Sequence, residues 1–209
     1  MGQVDDWVIR YGAGPSEGGP ALFLDRDGTL IENVPFISDP DKVVPIPGVV
    51  ELLSAARRAG YAVVVVTNQS GIARGLCSRD QYLAVEQRVQ HLLGPGLVNA
   101  VYACPFHPDG LPPFGIAHDW RKPKGGMLVA AQRDLGVDLA TSIMVGDSIS
   151  DIEAGLAAGV ASVAHVLTGH GRVERDDLLA RWPQMAKSEG RTELLLLDSL
   201  SDLRLAPVP

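Results

Sequence analysis

Ala21-Leu22-Phe23-Leu24-Asp25-Arg26-Asp27-Gly28-Thr29 is the stretch on which the reading of the whole chain turns. Four consecutive apolar residues have the length and character of a strand covered on both faces. Two carboxylates one residue apart follow directly. At the carboxyl end of a buried strand, such a pair can serve as nucleophile and acid/base while jointly holding a hard cation. The same residues could also form a simple acidic turn, because Asp and Gly favour turns for local reasons. The rest of the chain decides between these readings.

Working outward, short apolar runs alternate with amphipathic stretches. Ala21 to Leu24, Ala62 to Val66, Val98 to Ala103, Ser142 to Val145 and Ala161 to Val166 read as buried strands. Between them, helices are expected over Val49 to Ala59, Arg79 to Leu93 with Ser78 as N-cap, Met127 to Leu135, and about Asp151 to Ala158. Gly60, Gly136 and Gly159 serve as stop signals. This alternation predicts an α/β fold with a doubly wound parallel sheet. Ligands then bind beyond the carboxyl ends of the strands, and the polar residues fall there: Asp25 and Asp27, then Thr67-Asn68-Gln69-Ser70-Gly71, then Gly146-Asp147-Ser148 with Asp151 beyond. Residues 1–20, with five glycines and two prolines, read as an irregular arm in which Trp7-Val8-Ile9 could dock. Residues 21–209 read as a single domain. Val173 to Met185 is open between helix and loop, and Leu194 to Leu197 is a candidate edge strand.

Bulk properties restrict the function classes. A chain of 209 residues with 46% apolar and 21% charged residues can bury one full core. Eighteen basic against 25 acidic side chains give a net charge of −7, which lacks the broad positive field that non-specific nucleic-acid binding requires. The two cysteines, Cys77 and Cys104, make no disulfide framework, and no apolar stretch is long enough to span a bilayer. The expectation is a cytoplasmic protein without nucleic-acid or membrane partners, expected to be a monomer, acting on a small molecule.

Asp-x-Asp, Thr, Lys and Gly-Asp-x-x-x-Asp at successive strand ends, with Arg121-Lys122-Pro123-Lys124 before the last, resemble the haloacid dehalogenase superfamily of phosphohydrolases over roughly residues 21–170. The resemblance implies Asp25 as the nucleophile that forms an aspartyl-phosphate, Asp27 as general acid and base, and Thr67 as a phosphate ligand. Lys122 would neutralise the phosphate, with Lys124 as the alternative lysine. It implies Mg²⁺ as cofactor, held by the Asp25 and Asp147 carboxylates and the Asp27 carbonyl. Asp151 is open between a role behind the metal and an acid at a helix N-terminus. Asn68, Gln69, Ser70, Arg74 and Arg121 are candidate substrate contacts.

The stretches from Thr67 to Gly75 and from Arg121 to Leu128 narrow the resemblance to the branch that contains D,D-heptose 1,7-bisphosphate phosphatases and the phosphatase domain of histidinol-phosphate phosphatases. That branch has no large cap domain. Its members commonly carry a zinc loop with Cys-x-His and then Cys-x-Cys. Here the matching positions are Cys104 and Phe106, then His118 and Trp120. Phe and Trp supply no ligand, so zinc is not expected; a shifted, weak set would be Cys104, His107 and His118. The implied activity is a Mg²⁺-dependent phosphomonoesterase acting on a small sugar phosphate, D-glycero-D-manno-heptose 1,7-bisphosphate or a relative. The alternatives are histidinol phosphate, a polynucleotide 3′-phosphate, or a non-catalytic role in binding a phosphometabolite.

Overall fold

A computed structural model describes residues 4–12, 18–189 and 192–208. The strands are β1 (Val8–Arg10), β2 (Ala21–Leu24), β3 (Ala62–Asn68), β4 (Ala100–Cys104), β5 (Ile143–Gly146), β6 (Ser162–His165) and β7 (Glu193–Leu196). They form one sheet in the order β1-β4-β3-β2-β5-β6-β7. Every pairing is parallel except that of β1 with β4. The order runs one way from β2 through β3 and β4 and the other way from β2 through β5 to β7. The switch point therefore lies between β2 and its neighbours, directly at Asp25.

The helices are α1 (Val49–Arg58), α2 (Ser70–Ala73), α3 (Arg79–Leu93), α4 (Gly126–Leu135), α5 (Ile149–Ala158) and α6 (Gly171–Glu189). Alternation along the strands divides the apolar residues into two cores. Phe23, Val64, Val66 and Met144 pack with Met127 and Leu128 of α4, Ile152 and Leu156 of α5 and Leu178 of α6. Leu22, Leu24, Val63 and Val65 pack with Leu52 and Leu53 of α1 and Val85 and Val89 of α3. All four residues of β2 are buried, which is why its sequence reads as an unbroken apolar run.

Two features differ from the sequence expectation. The arm over residues 1–20 is not irregular throughout: β1 adds an antiparallel edge strand to β4, with Val8 opposite Tyr102. Trp7 is buried beside it, its ring 5.7 Å from Tyr82 and 5.6 Å from Phe114. Two half-buried residues and the exposed Arg10 carry no periodic signal, so only the anchoring Trp could have indicated the docking. The stretch left open around Val173 to Met185 is helical and belongs to the longer α6.

The sheet and α5 meet at Gly155, where an added Cβ would lie 2.6 Å from Val163 Cγ1 and 3.0 Å from Met144 Cβ. Neither atom can yield without moving a strand, so this close approach requires glycine. Gly155→Ala should lower the folding free energy by about 1–3 kcal/mol, the usual range for overpacking. Urea unfolding should show this as a lower midpoint at unchanged slope.

Candidate active site

The site opens at the carboxyl ends of β2, β3 and β5 as a cavity of about 340 Å³, with Asp25, Asp27, Thr67, Lys122, Asp147 and Asp151 in its wall. Residues 33–37, from the segment after β2, form part of its rim. Sequence-distant residues reach one point because β2, β3 and β5 are adjacent in the sheet.

Lys122 stands at the centre. It is 3% exposed. Its Nζ donates to Asp25 Oδ1 at 2.5 Å and to the Val66 carbonyl at 2.8 Å, and pairs with Asp151 Oδ1 at 2.7 Å. Burial alone would favour the neutral amine, but Asp151 and Asp25 outweigh it and hold Lys122 above the usual lysine range. Lys124 is exposed and pairs with Asp119 at 2.7 Å, and of the two lysines only Lys122 lines the cavity.

Asn68 lines the cavity and also makes a structural contact. Its amide donates to the Lys122 carbonyl and its oxygen accepts from the Lys122 backbone N–H, both at 3.1 Å. The side chain thereby clamps the lysine segment to β3. Gln69 donates through Nε2 to Asp27 Oδ2 and Thr67 Oγ1, each at 2.9 Å. Ser70 opens α2 and lines the cavity.

Asp147 is held by two groups that the sequence did not single out. The His170 backbone N–H donates to Oδ2 at 2.7 Å, and the Thr29 hydroxyl donates to Oδ1 at 3.4 Å. Gly28 has φ +96°, and a Cβ there would collide with the Asp147 carboxylate. The glycine after Asp27 is thus required both by backbone conformation and by the packing of the second acid. Asp151 has the helix N-terminal role considered for it and also pairs with the lysine. Its Oδ2 accepts from the Ser148 backbone N–H at 3.1 Å, capping α5, while its Oδ1 faces Lys122.

The carboxylates of Asp25, Asp147 and Asp151 offer oxygen atoms all within 4.8 Å of one another, and all three residues are buried. Lys122 supplies one positive charge against three negative ones, which leaves an excess of two. Burial pushes the Asp25 carboxyl well above its usual range; Lys122 opposes this, and Asp151, Asp147 and Asp27 add to it. Burial and then Asp151 push Asp147 up to about 7, against the pull of the His170 N–H and Lys122. A hard divalent cation would remove that imbalance, and an all-oxygen donor set is what Mg²⁺ prefers. The residues present therefore fit Mg²⁺.

Arg74 and Arg121 do not line the cavity. Arg74 Nη2 lies 3.0 Å from His107 Nε2, and Arg121 is half-buried with no hydrogen-bond partner for Nη1 among the described residues. Arg121 belongs to the neighbouring loop over residues 105–125, and Arg74 reaches that loop from the end of α2. Cys104, His107 and His118 form no metal-ligand cluster there; among the described residues, the aspartate triad is the only such group. Instead Phe106 stacks on His118 with centroids 4.2 Å apart, and Phe114 and Trp120 complete the aromatic cluster. Phe106 and Trp120 are both buried; Trp120 packs on Tyr102, and Phe106 packs on Phe114, which meets Trp7.

Comparison with known proteins agrees with this architecture. A haloacid dehalogenase-like hydrolase family model matches residues 35–159, and a HAD-hydrolase-like model matches residues 119–202. The D-glycero-beta-D-manno-heptose-1,7-bisphosphate 7-phosphatase of Yersinia pestis is 37% identical over 88% of this chain and 93% of its own length. The protein of the same name from Mesorhizobium japonicum is 47% identical over 68% of this chain and 67% of its own length. Among solved structures, the D,D-heptose 1,7-bisphosphate phosphatase of B. bronchiseptica, complexed with magnesium and phosphate, superposes with a TM-score of 0.69 at 31% identity. That superposition covers 87% of this chain and 94% of the other. The chain belongs to the haloacid dehalogenase-like hydrolases and is a phosphatase of that family.

Proposed function

We propose that the chain hydrolyses the 7-phosphate of D-glycero-D-manno-heptose 1,7-bisphosphate, releasing inorganic phosphate and the heptose 1-phosphate. The observation that carries this reading is the convergence of Asp25, Asp27, Thr67, Lys122 and Asp147 on one cavity in a chain whose relatives bear that name.

In the proposed reaction, an Asp25 carboxylate oxygen attacks phosphorus and displaces the sugar alkoxide, forming an aspartyl-phosphate. Asp27 carries the proton that the leaving oxygen takes up. It then accepts a proton from the water that attacks the aspartyl-phosphate, so that phosphate departs and Asp25 is regenerated. Lys122, already at Asp25 Oδ1, offsets the negative charge that accumulates on the transferring group. The Thr67 hydroxyl, oriented by Gln69, is placed to bind a phosphate oxygen. Mg²⁺, held by Asp25 and Asp147 with the Asp27 carbonyl, would supply charge neutralisation for the nucleophile and the phosphate.

A bisphosphate carries a second anion, and the nearby cations match it. Burial and the neighbouring Arg74 both lower the pKa of Arg121, so an anion between them would relieve their mutual repulsion. The free, buried Cys77 and Cys104 support a reducing, cytoplasmic setting. No described helix is long and apolar enough to cross a membrane, and we propose a monomer without nucleic-acid partners.

Three outcomes follow. Asp25→Asn should lower phosphate release by at least about 10⁴-fold, the scale of losing a nucleophile, with an unchanged circular dichroism spectrum. Mg²⁺ should raise the melting temperature of the wild type, by mass action, and the gain should be largely lost in Asp147→Asn. Arg121→Met should raise KM for the bisphosphate about 10- to 100-fold, the equivalent of one charge-assisted contact, with little change for a sugar monophosphate. Faster turnover of histidinol phosphate than of the heptose substrate would overturn the substrate assignment.

A further inference from the structure

Arg26 sits between the nucleophile and the acid/base, is 0% exposed, and has no task in the mechanism above. Its guanidinium faces Asp27 edge-on: Nε donates to Oδ2 at 3.2 Å, and Nη2 lies 3.1 Å from Oδ1 and 3.0 Å from Oδ2. A planar fork of this kind fixes both the position and the plane of a carboxyl group, which a point charge cannot do. The opposite edge of the guanidinium meets Glu86 from the middle of α3, with Nη1 3.5 Å from Oε2. Neither of these two buried atoms has a hydrogen-bond partner among the described residues.

Glu86 is 1% exposed and shares one face of α3 with Tyr82 and Gln90, four residues before and after it. Gln90 Nε2 donates to Glu86 Oε1 at 2.9 Å, and Arg26 Cζ lies 5.5 Å from the Tyr82 ring centroid. A buried charge triad of this composition is a poor source of stability, because desolvation offsets most of the attraction. What it does supply is a fixed orientation.

We propose that Arg26, braced by Glu86 across the core, is the positioning residue that sets the Asp27 carboxyl group for proton transfer to the leaving oxygen. The proposal rests on the phosphatase reading above. It makes α3, which contributes nothing to the cavity wall, the support of the acid/base.

The test compares kcat/KM for heptose 1,7-bisphosphate, whose alkoxide needs a proton, with that for p-nitrophenyl phosphate, whose phenolate leaves without one. Arg26→Lys keeps the charge and loses the fork. It should lower kcat/KM on the sugar phosphate by about tenfold or more, within the range of general acid catalysis. The loss should fall on kcat, with KM within about twofold, and the loss on the aryl phosphate should stay below about threefold. Glu86→Gln leaves the guanidinium in place but removes its brace, and should give the same unequal pattern at smaller size. It also decides the matter if thermal melting shows that Arg26→Lys is unfolded. Equal losses on both substrates, or no loss on either, would overturn the role of Arg26 while leaving the phosphatase reading intact. A wild type that hydrolyses neither substrate with Mg²⁺ would overturn both.

Discussion

Lys122 Nζ is the interaction on which the rest of the site depends. It is the one ammonium set among three buried carboxylates, 2.5 Å from Asp25 and 2.7 Å from Asp151. Without it the cluster could not stay ionised, because buried like charges push one another toward protonation. With it, full ionisation would still leave an excess of two negative charges, and Asp25 and Asp147 stay above the usual carboxylate range. That remainder is the chemical demand for a divalent cation, and it is met only if several chain segments hold their positions against mutual repulsion. Asn68 clamps the lysine backbone, the His170 N–H holds Asp147, and Ser148 holds Asp151.

The fold makes that arrangement affordable by placing it at the switch point of a parallel sheet, where the ends of β2, β3 and β5 meet without intervening strands. Burial of these strands on both faces gives a rigid floor. The polar segments that follow them can then carry chemistry without also carrying the stability of the domain. The same division appears in the loop after β4. There an aromatic stack of Phe106 on His118, with Phe114 and Trp120 around it, orders the segment beside Arg121 with no metal-ligand cluster.

Much of this was legible in the sequence, for a physical reason. A strand buried on both faces must read as an apolar run, so the residue where polarity resumes marks the strand end. Asp25, Thr67 and Asp147 were found that way. The signal failed where a residue acts through its main chain or through a long-range partner. The His170 N–H at Asp147 is a backbone group that any residue type could supply. Asn68 bears an amide suited to substrate, yet it binds the Lys122 backbone 54 positions away. Arg26 carried no signal of its own because its partner Glu86 lies on a distant helix. β1 gave no strand signal beyond the docking Trp7-Val8-Ile9 because three residues, two half-buried and one exposed, have no periodicity to display.

The central claim is that this charge cluster makes Asp25 a nucleophile toward phosphorus. Acid-quenched single turnover of ³²P-labelled p-nitrophenyl phosphate, whose phenolate leaves without a proton, by Asp27→Asn, which is deprived of the base for the second step, tests it most directly. The account predicts a protein-bound label that is stable to acid, released by hydroxylamine, and confined to the peptide containing Asp25. Phosphate release with no protein-bound label, or a label on any other residue, would contradict it.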